Sequence, residues 1–190
     1  MKRLGCFIAG MVLVLCLPNA QARELAGLEL PERLFMPGDE QVLLLNGAGT
    51  VRRWFTPVLV AGLYLPRRQD DAARAMSLPG RKRVVLHILT EKVTAADLSK
   101  FWSGCLERNL GAGARQSVAA RFERFLDLFD NIKAGDAIAI DIQPGRGSRV
   151  SVNGQHRGTL EGGDIARAML AVWLGEHPAD VGLKQALLGG

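Results

Sequence analysis

The chain has 190 residues, of which 48% are hydrophobic and 23% charged, and a formal net charge of +5. The apolar share excludes a disordered chain, and three cysteines are too few for a disulfide scaffold. No apolar run reaches the roughly 18 residues of a membrane-spanning helix, and the length suits one domain.

Met1-Lys2-Arg3 is a basic start, and positions 4–17 carry no charge. Phe7-Ile8-Ala9-Gly10-Met11-Val12-Leu13-Val14-Leu15 is the apolar heart of that run, Pro18 and Asn19 end it, and Ala20-Gln21-Ala22 has the small-x-small pattern of a cleavage site. This layout predicts a secretory signal peptide over 1–22, a single domain over 23–190 and a periplasmic location. The apolar core is too short for an anchor that spans a bilayer. Leu15, not a small residue, precedes Cys16, which argues against lipidation.

Removing the first 22 of 190 residues leaves 168 and lowers the net charge from +5 to +3, because Lys2 and Arg3 depart. The remaining arginines are dispersed, with pairs at Arg52-Arg53 and Arg67-Arg68. They form no basic cluster of the kind that binds nucleic acid. Cys6 and Cys16 lie in the signal, so Cys105 is left without an intramolecular disulfide partner and reads as a buried thiol.

After a polar lead-in, positions 41–45 read as a strand closed by a turn at Asn46-Gly47-Ala48-Gly49. Positions 50–65 read as one long strand, in which Pro57 marks an edge or a bulge. Positions 70–77 suit a short helix, and 83–89 another strand. Thr94-Ala95-Ala96-Asp97 has the form of a capping box. Behind it Leu98, Phe101, Trp102, Cys105, Leu106 and Asn109 follow helical spacing. Gly111-Ala112-Gly113 interrupts, and Val118, Phe122, Phe125, Leu126 and Phe129 make a second apolar stripe.

Past Asp130 the period becomes two: Ile138, Ile140 and Ile142 alternate with Ala137, Ala139 and Asp141. Val150 and Val152 continue the pattern, and Asn153-Gly154 predicts a type I′ hairpin turn into a strand ending near Leu160. Two helices follow, one over 163–174 with Ile165, Ala168, Met169, Val172 and Trp173 on one face, and one near 181–188. Hairpins flanking a block of helices predict an α+β fold, an antiparallel sheet with helices packed on one side.

The familiar catalytic signatures are absent: no Gly-x-Ser-x-Gly, no phosphate loop, no His-Glu-x-x-His. His87, His156 and His177 stand in unrelated elements without ligand spacing, so no metal site is expected. One charge location is unusual. Arg52 and Arg53 point to opposite faces of a regular strand, so one of them turns to the buried side. A buried guanidinium needs a partner, either a carboxylate of the protein or the acid group of a ligand.

Asn46-Gly47-Ala48-Gly49 followed by Arg52, and Val60-Ala61-Gly62-Leu63-Tyr64-Leu65, resemble the opening strands of the chalcone isomerase-like proteins, specifically their secreted bacterial branch. Val152-Asn153-Gly154, Leu160-Glu161-Gly162-Gly163-Asp164-Ile165-Ala166 and Val172-Trp173-Leu174-Gly175 resemble the closing hairpin and helix of that family. The resemblance runs from roughly Leu25 to Gly189. It implies an open-faced β-sandwich, a large antiparallel sheet covered by a helical layer, with a cleft between them.

Plant enzymes of the family close a chalcone into a flavanone, with an arginine holding the phenolate and hydroxyl groups, an asparagine and a water assisting the enolate. By resemblance Arg52 is the candidate arginine, one residue later than the usual bacterial spacing, where Val51 stands; a bulge near Pro57 would absorb the offset. Leu59 occupies the place of a threonine of the enzymes, the helix around 97–105 lacks their tyrosine and asparagine, and Val172, beside Trp173, replaces a hydroxyl residue. These departures remove the groups that would stabilise an enolate. Some plant relatives bind fatty acids instead.

The resemblance therefore implies a non-catalytic periplasmic binder of a small amphipathic acid, of fatty-acid or phenolic type. Arg52, Arg53, Leu59, Val172 and Trp173 are its ligand-binding residues, catalytic residues are unassigned, and no cofactor is implied. Two alternatives stay open: an intramolecular lyase acting on an enone, and an envelope protein whose cleft or strand edge binds a protein partner.

Overall fold

The computed structural model describes residues 22–36, 41–91, 93–129 and 132–190, so the expected signal peptide lies outside the described residues except for Ala22. Seven strands form a curled antiparallel sheet in chain order: β3 (Arg33–Phe35), β4 (Val42–Arg53), β5 (Thr56–Leu65), β6 (Lys82–Ile88), β7 (Ala137–Gln143), β8 (Gly147–Val152) and β9 (Gln155–Glu161). Two short strands, β1 (Ala22–Leu25) and β2 (Leu28–Pro31), pair with each other ahead of the sheet. The helices are α1 (Ala72–Ser77), α2 (Ala95–Asn109), α3 (Ala112–Leu126), α4 (Gly163–Leu174) and α5 (Val181–Leu187). The α+β expectation is met.

Alternation along β5 shows how the sheet serves two cores. Ala61, Leu63 and Leu65 face the helices and join Val84, Leu86, Ile138, Ile140, Ile142 and Val150 in the main core. Val60 and Tyr64 face the other way, into a smaller core with Leu30, Met36, Leu43, Leu45 and Ala48. This second core explains the first three strands, which charged residues hid from a reading by hydrophobic pattern: they close the far face of β4 and β5. Tyr64 is buried there, and burial pushes its hydroxyl pKa well above the usual tyrosine range.

The helical layer follows its stripes. Thr94 and Asp97 form the capping box at the start of α2, whose Leu98, Trp102, Cys105 and Leu106 are buried. Val118, Phe122 and Phe125 of α3 are buried too, and nine of the ten residues from Ile165 to Leu174 are buried, all but Arg167, which makes α4 the most enclosed helix of the fold. The capping aspartate Asp71 opens α1, and the fully buried ammonium of Lys82 donates to the carbonyl of Leu78, where α1 ends. A cation is favoured at that end of the helix dipole, although burial lowers the Lys82 pKa to about 8.

Two expectations fail in the first half of the sheet. Asn46-Gly47-Ala48-Gly49 is not a turn: β4 runs straight through it, with a shift of register between Leu45 and Gly47. The glycines serve a close approach. A Cβ at Gly47 would overlap the Ala186 carbonyl of α5, and one at Gly49 would stand 2.7 Å from the Ala186 Cβ. Asn46 closes the seam, donating to the carbonyls of Leu187 at 2.7 Å and Gln69 at 2.9 Å and accepting from the Gln69 amide. The expected long strand over 50–65 is instead the hairpin β4–β5, which turns at Trp54-Phe55. The expected bulge beside Pro57 is present: Val51 pairs with Leu59 and Arg52 with Pro57.

Candidate ligand-binding cleft

The β4–β5 hairpin and the helices α2 and α4 supply the residues singled out by the sequence. Val51 and Leu59, opposite one another in the hairpin, are half-buried and pack against the main core from its open end. Val172 and Trp173, near the end of α4, lie within that core and are fully buried. Around the Trp173 indole stand Phe101 and Trp102 of α2, with ring centroids 6.0 and 5.6 Å away. Trp102 in turn meets Phe125 of α3 edge-on at 4.8 Å. Phe101 is partly open to solvent, so the aromatic cluster reaches the surface at α2.

One polar atom in this cluster has no partner. The Trp173 Nε1–H is buried and meets no acceptor among the described residues; Ser148 Oγ on β8 is in the same condition. A buried N–H of this kind costs stability unless something outside the chain accepts from it. Cys105, one turn along α2 from Trp102, is buried, and that burial raises its thiol pKa; Arg108 donates to its sulfur at 3.3 Å. It has the environment of an inert core thiol.

The arginines are not where strand alternation was expected to put them. Arg52 and Arg53 are both exposed. The alternation itself holds. From Gly49 through Val51 it carries Arg53 to the helix side, where its charge helps hold the Asp97 carboxyl below the usual range, after the larger effect of the Thr94 hydroxyl and amide and that of Lys100. Arg52 turns the other way and donates to the Phe55 carbonyl at 3.2 Å. At the tip the hairpin has outrun both cores, so neither side is a buried side. Neither guanidinium is buried, and both stand at the exposed tip.

Trp102 is buried in the main core as the apolar stripe of α2 predicts, and Phe101 beside it is partly open, whereas Trp54 and Phe55, expected within a strand, form its turn. The signal available at 52–55 was four successive large residues without a period, ahead of a proline that cannot continue a ladder.

Two hollows lie elsewhere. A groove of about 1170 Å³ crosses the sheet near β8 and is lined by Arg81, Arg83, Arg121, Arg124, Arg146 and Arg149 with Asp141 and Glu161. Arg83 grips Asp141 through two bonds of 2.6 and 2.7 Å, and Arg121 grips Asp164 of α4, whose pKa it holds down to about 2. A second hollow of about 480 Å³ lies between α1 and α4. Neither includes Arg52, Arg53, Leu59, Val172 or Trp173. Among the described residues no three His, Cys, Asp or Glu side chains gather to hold a metal ion, and no helix is long and apolar enough to cross a membrane.

A family model described as "Chalcone isomerase-like" matches residues 22–189. The chain belongs to the chalcone isomerase-like family. A comparison with curated proteins gives no match. Among solved structures, the chain is similar to a fatty-acid binding protein of Arabidopsis thaliana, with 16% identity and a TM-score of 0.65 over 85% of this chain and 92% of the other. At that identity the likeness shows the fold.

Proposed function

We propose that the protein is a non-catalytic binder of a small amphipathic acid, of fatty-acid type, working in the periplasm after cleavage behind Ala22. The buried Trp173 Nε1–H without an acceptor carries this reading. An acid brought into the cleft would supply the missing acceptor, while Phe101, Trp102, Leu59 and Val172 would take its apolar tail. Arg52 and Arg53 would act at the mouth, attracting the anion rather than clamping it. The fatty-acid binding of the Arabidopsis neighbour and the aliphatic residues Leu59 and Val172 support binding over cyclisation of an enone.

The test is calorimetric titration with oleate and dodecanoate, each beside its methyl ester, on the protein and on Trp173→Phe. The expected result is binding of the acids, weaker binding of the esters, and about tenfold weaker acid binding by Trp173→Phe, the loss of one hydrogen bond to a charged group. Equal affinity for acid and ester, or for the protein and Trp173→Phe, would remove the role of the indole. No heat with either acid would remove the reading altogether. Circular dichroism of the variant keeps a folding defect from passing as a binding defect.

A further inference from the structure

The tip of the β4–β5 hairpin is a surface that folding does not account for. Trp54 is 88% exposed and Phe55 92%, side by side, and neither ring belongs to either core. Trp54 sits at φ +59°, in the left-handed region that a bulky side chain adopts at a cost. The exposed Arg52 and Arg53 precede the two rings, and no carboxylate occurs anywhere over positions 41–69. The exposed Lys100 of α2 adds a further cation on the side of Arg53, since both act on Asp97. The half-open ring of Phe101 follows on the same helix.

An adjacent aromatic pair held in water beside two guanidinium groups has a restricted set of matching surfaces. A second copy of the tip fits poorly, because pairing two tips would bring four guanidinium groups together. A layer of anionic lipid headgroups fits all the parts. Indole rings favour the depth of the headgroups, a phenylalanine ring gains by leaving water, and arginines are drawn to lipid phosphates.

We propose that the β4–β5 tip docks this protein on an anionic bilayer surface, with Trp54 and Phe55 entering the headgroup layer and Arg52 and Arg53 meeting the phosphates. The proposal stands on the hairpin tip and not on the ligand reading, and it assigns the protein a place at the membrane face from the outside, without a spanning segment.

The experiment is co-sedimentation with large vesicles of phosphatidylcholine alone or with 30% phosphatidylglycerol, without any fatty acid, in about 0.05 M and 0.5 M salt. The expected result is at least about tenfold more binding to the anionic vesicles, weakened by salt. Trp54→Asn with Phe55→Gly should lower binding about tenfold or more, and Arg52→Gln and Arg53→Gln about fivefold each on anionic vesicles only. The first pair takes its residues from the turn of the β8–β9 hairpin, whose first residue is also at positive φ, and an unfolding midpoint checks that the fold persists. Vesicle binding unchanged by the Trp54/Phe55 pair overturns the proposal, as does the absence of binding by the unaltered protein. A dimer abolished by that pair, without vesicle binding, would replace the bilayer with a second copy. Failure of oleate to bind would leave these outcomes untouched.

Discussion

The β8–β9 and β4–β5 hairpins solve one geometrical problem in opposite ways. Both turn through two residues, and both place a non-glycine residue first at positive φ: Asn153 at +52° and Trp54 at +59°. Asn153 suits that position, since its side chain accepts from the Ala137 amide at 2.8 Å and donates to Asp136 at 2.8 Å, and Gly154 follows at +76°. Trp54 accepts the same backbone cost and puts its ring into solvent. A chain that needed only to reverse direction has the asparagine–glycine solution in its own repertoire. The tryptophan–phenylalanine tip therefore answers to something beyond the fold.

The hairpin with the unusual tip has an intolerant base, as β8–β9 has at Gly147, and the largest effect among the substitutions considered lies there. Gly47→Ala would force its methyl into the Ala186 carbonyl and the Leu187 backbone, costing about 3 kcal/mol or more by urea unfolding. A smaller loss would mean that α5 moves aside freely, and the contrast between base and tip would weaken.

Between the two hairpins, Lys82 provides a pH-dependent comparison. Its pKa falls from 10.5 unfolded to about 8 folded, so below pH 8 both states are charged and the burial penalty is fully present. As pH rises from about 8 to 10.5 the unfolded chain holds the extra proton, and this group adds stability, up to about 3 kcal/mol. Tyr64 and Cys105, with raised pKa values, oppose the trend at the upper end. Subtracting the stability profile of Lys82→Met from that of the unaltered protein should therefore isolate a rise beginning near pH 8; a flat difference would show a lysine that stays charged.

At the tip of β8–β9, Asn153→Ala should cost about 1–2 kcal/mol, through two lost hydrogen bonds and a side chain unsuited to positive φ. The Asp136 pKa is held below the usual range chiefly by Asn153, so part of its contribution exists above about pH 4 and is lost on acidification. The variant should show a shallower acid loss, measured as unfolding midpoints from pH 6 to 2. Smallest of all is the graft at the other tip: Trp54→Asn with Phe55→Gly should leave stability unchanged or raise it by less than about 1 kcal/mol. A large loss would mean that the aromatic pair is part of the fold after all.

How much of this was legible in the sequence follows from where each signal comes from. The α2 and α3 stripes, the capping box at Thr94 and the Asn153-Gly154 turn are local, and the structure keeps them. The misread residues take their meaning from distant partners. Gly47 and Gly49 look like a turn until α5 is laid across them. The strands before Phe35 carry Arg23, Glu24, Glu29 and Arg33 among their apolar residues and are ordered by pairing. Arg52 and Arg53 were placed by alternation on the right sides of a strand, but alternation does not say where the cover ends. The candidate residues show the same division: Leu59, Val172 and Trp173 are pointed to by the family resemblance, whereas the unpartnered indole nitrogen of Trp173 emerges only from packing.

The clasp at Asn46 has a consequence for assembly order. Its amide reaches Leu187, 141 positions downstream, and the glycines beside it wait for the same helix. A ribosome or translocation channel releasing the chain from its N-terminus exposes β4 long before its covering helix exists, so that strand stays unfinished until the final turn arrives. Contacts so far apart along a polymer are slow to form. Loss of even a few terminal residues would thus be felt at the opposite end of the chain, in the first long strand.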